Sequence, residues 1–415
     1  MDKKIQVKHE DNPNIRYISE IKFEGKQPAE IFVSYHNKKL YIINKSNFRV
    51  LNVYEALDNL NYSLKLSIID NKESGVLNEI NLVKYFFNPE NFSEYLVSGS
   101  EKEIYIYDIV DNFKKKYKID LNIKELVDCI LYFSNNKNNN RYIYISDCVN
   151  RFGLNYSKID IYTIDNKFIE SLEGGGISIQ LLLWYDKIND NHFIINITSS
   201  CIVMINLLNK KKIKQWDNKI KDFHFKDGLY KGDNSYIYND NYLVTMNYDE
   251  ILIFDLYNKS LFKKIKMNVG QKNKEYGFYE KYKLKNIVKW NNRYAISVSQ
   301  PKSIYPKFIS IIHIIDIEKG KVISKIIHKE LNNVQFIKKL NHPIYGESLI
   351  IADSWSAFFI WGTKGHKINK INKINKINNK DANKISVFQK IFKFLSILTI
   401  FIYLNSKSKF INKYY

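Results

Sequence analysis

The chain has 415 residues, of which 45% are hydrophobic and 15% aromatic, and it carries a formal charge of +21. That length admits two or three ordinary domains or one large all-β unit, and the hydrophobic fraction is ample for a core. Its 31 Tyr and 25 Phe favour strands over helices. With 6 Pro and 15 Gly in the chain, Asn, Asp and Ser must make most of the turns.

Three cysteines, Cys129, Cys148 and Cys201, stand at wide spacings without a C-x-x-C pair or clustered His. This argues against a disulfide framework and a zinc site, and fits a reducing compartment. The charge is unevenly placed. Residues 364–415 carry twelve Lys against one Asp, so about half of the excess lies in that tail. The remaining Lys are scattered among Asn and Ile, a pattern that compositional bias would also produce.

Residues 1–14 lack the apolar run of a secretory signal. The expected location is therefore intracellular (cytoplasmic), with the cytosolic face of a membrane as the further reading. An apolar segment at 15–23 follows with no hairpin of its own. From there a single grammar recurs: two apolar residues, a turn, then alternating apolar residues ending at an Asp-like position.

The first unit runs from Ile42-Ile43 to Leu51-Asn52-Val53-Tyr54-Glu55. The second, at 94–110, is the clearest. Leu96-Val97 precede a six-residue turn, and Ile104 and Ile106 then alternate with Tyr105 and Tyr107 before Asp108, which reads as a half-buried strand. The fourth (Ile194-Ile195 to Asn206), fifth (Leu243-Val244 to Asp255) and seventh (Ile350-Ile351 to Gly362) keep the six-residue turn. In the third unit, SDCVNRFGLNYSK separates Tyr144-Ile145 from Ile159. In the sixth, SVSQPKSIYPKFISI separates Ala295-Ile296 from Ile312.

Apolar segments precede the hairpins at 80–87, 127–133, 179–184, 220–225, 284–290 and 334–340, and others follow them at 117–121, 213–216, 261–267 and 322–327. Four strands per unit is the signature of a β-propeller blade, whose faces are buried only by stacking on neighbours. The seventh unit has no fourth strand, and the segment at 15–23 has no unit. The predicted fold is an all-β, seven-bladed propeller over 15–363, with the N-terminal strand closing the last blade.

LVSGSEKEIYIYDI at 96–109 and VTMNYDEILIFDL at 244–256 resemble the WD-repeat β-propeller family. The Trp-Asp pair is incomplete: Trp361 precedes Gly362, and Asp108, Asp255 and Asp316 follow Tyr, Phe and Ile. The family's usual Gly-His pair is absent. The resemblance implies that loops joining second and third strands share the face usually used for partners. Arg151, Phe152 and Tyr156 would then flank that face together with Tyr305, Lys307 and Phe308, as aromatic and Arg anchors. The competing reading is that both segments are tolerated surface insertions.

The Glu173–Gly176 run lacks the Gly-Lys-Ser/Thr ending of a phosphate loop and reads as a turn. His224 reads as a strand position. Asp147 and Cys148 have no accompanying His. The sequence nominates no catalytic, cofactor-binding or metal-ligating residue, and the expectation is a protein that is not an enzyme.

Residues 364–384 form a low-complexity linker containing four copies of Lys-Ile-Asn at 367–378. Residues 385–404 are strongly apolar with a narrow polar stripe, which predicts a helix, and 405–415 form a basic tail. Phe388, Phe392, Leu395, Ile397, Leu398 and Phe401, with Lys390 and Lys393 snorkelling, are the expected membrane contacts. Twenty residues span about 30 Å, so a tail anchor and an interfacial helix both stay open. The functional expectation is a non-enzymatic scaffold or adaptor, a monomeric propeller within a complex, whose partners are other proteins and, through the tail, a membrane. RNA or ribonucleoprotein association through a basic surface is the alternative. Some membrane-anchored WD-repeat propellers act as exchange factors for small GTPases, a parallel of architecture alone.

Overall fold

The structure, a computed structural model, describes residues 15–362 apart from 23–26, 47–49, 57–61, 70–79, 89–90, 124–125, 134–140, 152–153, 218–234, 247–249, 268–269, 273–278, 302–309, 329–330, 332–333 and 354–356. The chain divides into two units, Met1–Lys364 and Gly365–Tyr415. The linker, apolar segment and basic tail expected at 364–415 lie outside the described residues. No helix among the described residues is long and apolar enough to cross a membrane.

The first strand, β1 (Arg16–Lys22), precedes blade 1, made of β2 (Gln27–Val33), β3 (Leu40–Ser46), β4 (Val50–Ala56) and β5 (Tyr62–Ile69). Blade 2 holds β6 (Leu82–Phe87), β7 (Glu94–Gly99), β8 (Glu103–Asp108) and β9 (Lys114–Asp120). Blade 3 holds β10 (Leu126–Phe133), β11 (Arg141–Arg151), β12 (Leu154–Thr163) and β13 (Phe168–Gly175). Blade 4 holds β14 (Ser178–Asp186), β15 (Asn191–Thr198), β16 (Cys201–Asn206) and β17 (Lys212–Asp217). Blade 5 holds β18 (Ser235–Tyr238), β19 (Tyr242–Met246), β20 (Glu250–Asp255) and β21 (Ser260–Lys266). Blade 6 has five strands: β22 (Gly270–Lys272), β23 (Tyr279–Lys289), β24 (Tyr294–Pro301), β25 (Ser310–Asp316) and β26 (Lys321–His328).

Blade 7 takes β27 (Val334–His342), β28 (Gly346–Asp353) and β29 (Ala357–Gly362), and its outer strand is β1, paired antiparallel with β29. The N-terminal segment therefore closes the last blade, as its lack of a hairpin predicts. Leading strands touch in the cycle β2, β6, β10, β14, β18, β23, β27 and back to β2, so the seven sheets form a closed ring.

Packing explains the sequence grammar. The buried apolar residues fall into seven clusters, each lying between two adjacent blades. In blade 2, Leu96, Tyr105 and Tyr107 face blade 1 while Val97, Ile104 and Ile106 face blade 3. The half-buried reading of this hairpin is corrected: Tyr105 and Tyr107 are only 1% and 5% exposed. A blade is sandwiched, so both faces of its middle strands are core, and period two selects which neighbour a residue meets. Outer strands carry the Lys, as in KKKYKID of β9, where cations discourage pairing with another chain.

Two other expectations change. The third unit's inserted turn is not a loop: β11 and β12 continue pairing to Arg151↔Leu154, making a long hairpin. In the fifth unit, the leading strand is β18 rather than 220–225, which lies with His224 outside the described residues.

In blades 2, 4, 5 and 6 the Asp or Asn closing the third strand caps the next turn. Asp108 Oδ1 accepts from the Val110 and Asp111 amides at 3.1 and 3.3 Å, Asn206 Oδ1 from Leu208 at 2.8 Å, and Asp316 Oδ1 from Lys319 at 2.8 Å. Asp and Asn recur there because their short side chains reach backbone amides two or three residues on.

Candidate functional site

Arg151 and Tyr156 sit on the long β11–β12 hairpin, where Tyr156 pairs with Val149 near the tip; their side chains, and Phe152, lie outside the described residues. Tyr305, Lys307 and Phe308 fall within 302–309, also outside them. Phe388, Lys390, Phe392, Lys393, Leu395, Ile397, Leu398 and Phe401 are likewise undescribed.

The described polar chemistry gathers at two places that sequence reasoning missed. The first is the inner ring, around a cavity of about 330 Å³ lined by leading strands of blades 7, 1, 2, 3 and 4. Here one motif occurs twice. Glu30 Oε1 accepts from its neighbour Ile31 N at 2.8 Å and from Lys338 Nζ of blade 7 at 2.6 Å, while Oε2 accepts from Tyr85 N of blade 2 at 3.1 Å. Asp128 Oδ1 accepts from Cys129 N and from Lys84 Nζ of blade 2, both at 2.8 Å, while Oδ2 accepts from Leu181 N of blade 4 at 2.8 Å.

Each acid thus joins three successive blades. A buried carboxylate needs several donors to offset its desolvation, and here they come from both neighbours. Gln180 extends the chain of bonds to Ser235 O of blade 5 at 3.2 Å. The sequence signal was a polar residue in five of the seven apolar leading strands: Glu30, Lys84, Asp128, Gln180 and Asn286.

The second place is the seam of blades 1 and 2 at the end carrying the loops between first and second strands. Glu94 is fully buried. Its Oε1 accepts from Tyr35 N and Tyr85 OH, both at 2.7 Å, and its Oε2 from Ser34 Oγ at 2.8 Å and His36 N at 3.1 Å. Burial first, and then the Glu94 carboxylate, push the Tyr85 phenol well above its ordinary range.

Over this support lies an aromatic cluster. Tyr35 and Phe92 stack at 5.3 Å and 16°, and Phe87 lies 4.8 Å from Tyr35. Tyr35 and Phe92 are 45% and 48% exposed, and Lys38 Nζ stands 3.9 Å over the Tyr35 ring.

The Glu173–Gly176 run, read as a turn, is corrected: its first three residues belong to β13, which ends at Gly175. Gly174 and Gly175 end β13, where an added Cβ at Gly174 would lie 2.4 Å from Ser157 Oγ and 2.9 Å from Asn196 Nδ2. Asn196 Nδ2 of blade 4 donates to Gly174 O at 2.7 Å, so these glycines allow blades 3 and 4 to approach. Burial pushes His313 and His342 down to about 4; His313 Nε2 lies 2.7 Å from Ser299 Oγ, and His342 Nδ1 accepts from Ile344 N at 3.1 Å. Both are buried, and among the described residues neither meets a carboxylate. Among the described residues, no group of His, Cys, Asp and Glu could hold a metal ion.

No family model and no curated protein matches the chain. Two crystal structures of BBS1N in complex with ARL6DN, soaked with lead and with mercury, are similar to it. Their TM-scores are 0.55 and 0.56 and their identities 8% and 9%, and each comparison covers 86% of this chain and 99% of the other. At such identity the likeness is one of fold, and it agrees with the ring of sheets above: the protein is an all-β, seven-bladed propeller.

Proposed function

We propose that this chain is a non-enzymatic protein-interaction scaffold on a WD-repeat-like propeller, held at the cytosolic face of a membrane by residues 385–404. The observation that carries the reading is the whole-domain likeness to BBS1N, a propeller crystallised with a protein partner, ARL6DN. The use of polar groups supports it. Glu30, Asp128 and Glu94 are saturated by bonds between blades, which makes a rigid frame, while aromatic side chains reach solvent on the connecting loops. Frame and loops divide the work as stability and specificity.

The test is crosslinking of tagged full-length protein in cells, followed by identification of what is attached. Reproducible protein partners support the scaffold; their absence above a tag control overturns it. Partners that survive replacement of both 148–156 and 302–309 remove those segments from the interface. Deleting 385–415 should move the protein from the membrane to the soluble fraction, and an unchanged distribution refutes the tether.

Ribonucleoprotein association has the Lys-rich outer strands in its favour. In blade 2, however, Lys114, Lys116 and Lys118 pair with Asp111, Asp108 and Glu103 at 3.6, 2.7 and 2.9 Å. RNA binding that falls steeply with salt would favour this second reading over the first.

A further inference from the structure

We infer that blade 4 carries a lipid contact of its own: the turns holding Ile188 and Leu208 enter the surface of a membrane that contains anionic phospholipid. This deepens the tether reading and rests on it, because so shallow a contact holds only when another part of the chain already keeps the protein at the bilayer.

The two turns are built alike. Between β14 and β15, Asp186 Oδ1 accepts from Ile188 N at 2.9 Å and Asn189 N at 3.1 Å. Between β16 and β17, Asn206 Oδ1 accepts from Leu208 N at 2.8 Å and Asn209 N at 3.1 Å. Each cap thus fixes an apolar residue two positions on, at the tip of its turn. Leu207 N donates to His192 O at 2.9 Å, which holds the second turn against the start of β15, beside the first. Among the described residues no large apolar side chain is more exposed than Leu208, at 78%, and Ile188, at 74%. The corresponding position after the Asp255 cap holds Tyr257, whose ring packs edge-on to Trp184 at 5.3 Å.

The charge around the tips selects an anionic surface. Lys187 pairs with Asp240 at 2.7 Å, and Lys210 pairs with Glu170. Lys211 and Lys212 have no carboxylate partner among the described residues, and neither has Lys259 of blade 5, whose carbonyl accepts from Trp216 of β17 at 3.1 Å. The acids of the two turns are engaged: Asp186 is buried, and Asp190 accepts from the Tyr185 hydroxyl at 2.8 Å. On blade 3, Asp165 and Lys167 cancel, and residues 134–140 contribute Lys137 and no acid. Two apolar tips beside an excess of cations suit an interface with anionic lipid. Side chains this exposed project from the surface instead of lining a groove, and RNA would gain nothing from Ile188 and Leu208. The first turns of blades 4 to 7, with the strand ends beside them, touch in series: Lys187 with Asp240, Asp240 with Lys289, and Lys339 with Trp290 O. Gly362 pairs with Ser348 just past the first turn of blade 7, so the chain runs on to residues 364–415 from this end.

The experiment uses full-length Cys148→Ser protein carrying Leu208→Cys labelled with nitrobenzoxadiazole, a dye that brightens on leaving water. Phosphatidylcholine–phosphatidylserine vesicles should brighten it, and phosphatidylcholine vesicles should do so at least several-fold less. The same label at Glu101→Cys, on the β7–β8 turn at the other end of its blade, should stay dim. Adding Lys211→Glu should raise the vesicle concentration for half response by about fivefold or more, the worth of one basic residue at an anionic surface. Adding Ile188→Ser should raise it several-fold and leave the thermal midpoint in place, since the side chain is exposed.

The proposal is overturned if both labels brighten equally, if phosphatidylcholine alone serves as well, or if Lys211→Glu and Ile188→Ser respond like their parent. A label at Leu208→Cys that stays dim on protein sedimenting with the vesicles removes this contact while leaving the tether standing. Crosslinked partners lost from Ile188→Ser, with that label dim, would assign the tips to a protein and overturn it too. Wild-type protein that does not sediment with the vesicles removes the tether reading itself, and this inference with it.

Discussion

The seam between blades 1 and 2 and the seam between blades 3 and 4 meet the same demand with opposite chemistry. The first is bridged by long side chains. Glu94 takes four hydrogen bonds, three of them from blade 1, and an aromatic column stands beside it, with Phe32 stacked on Tyr85 at 4.3 Å and Tyr41 edge-on to Phe113 at 5.2 Å. The second works by subtraction: Gly174 lets the backbone of blade 3 come within reach of the Asn196 amide. One seam depends on what its side chains supply, and the other on what a side chain would obstruct. The consequence at the surface differs as well, because the bridged seam carries rings outward to solvent.

Truncation should hurt the first seam most. Glu94→Ala leaves the Tyr35 and His36 amides and two hydroxyls without their acceptor and should cost about 3–5 kcal/mol, by analogy with breaking a buried charged network. Urea denaturation of the full chain measures it. A loss near zero would mean that the aromatic column alone holds the seam. Addition should hurt the second: Gly174→Ala forces a Cβ into Ser157 and should cost roughly 2–3 kcal/mol, whereas an alanine placed at Ser93, on the first seam's exposed loop, should cost little.

A pH series tests whether both seams outlast blades 6 and 7. His313 and His342 have folded values near 4 against an ordinary 6.5. The unfolded chain therefore binds more protons between those values. Their contribution is present above about pH 6.5 and lost as pH falls toward 4, on the order of 2 kcal/mol for each. Hydrogen exchange at the Ile344 and Tyr345 amides, which His342 Nδ1 accepts, should quicken over that range before any change near Gly174.

The smallest effect is expected at the ring's closing staple. Lys338→Met removes the 2.6 Å contact with Glu30 but leaves that acid its two backbone donors. A loss of about 1 kcal/mol is expected, typical of a partly exposed pair. A loss as large as that of Glu94→Ala would place ring closure, rather than the bridged seam, at the centre of stability.

Much of the fold was legible because period-two apolar runs, six-residue turns and capping Asp or Asn are local features. Leu96, Val97 and Ile104 marked a hairpin, Asp108 marked its end, and the unpaired segment at 15–23 called for the unpaired strand of blade 7. The candidate surface was not legible in the same way. Tyr35 and Phe92 lie 57 positions apart in sequence and meet only because two blades stack. Nothing beside Glu94 in the sequence marks it as an acceptor, since three of its four donors come from another blade.

The sequence by itself determined most of the strands, the six-residue turns and the number of blades, since each follows from residues within a few positions of one another. Tertiary structure alone decided which alternating face meets which neighbour, where Glu30, Asp128 and Glu94 find their donors, and which rings reach solvent. Those outcomes depend on partners from other blades, up to 308 positions away in the case of Lys338 and Glu30. No local pattern encodes such a distance; only the closing of the ring brings the groups together.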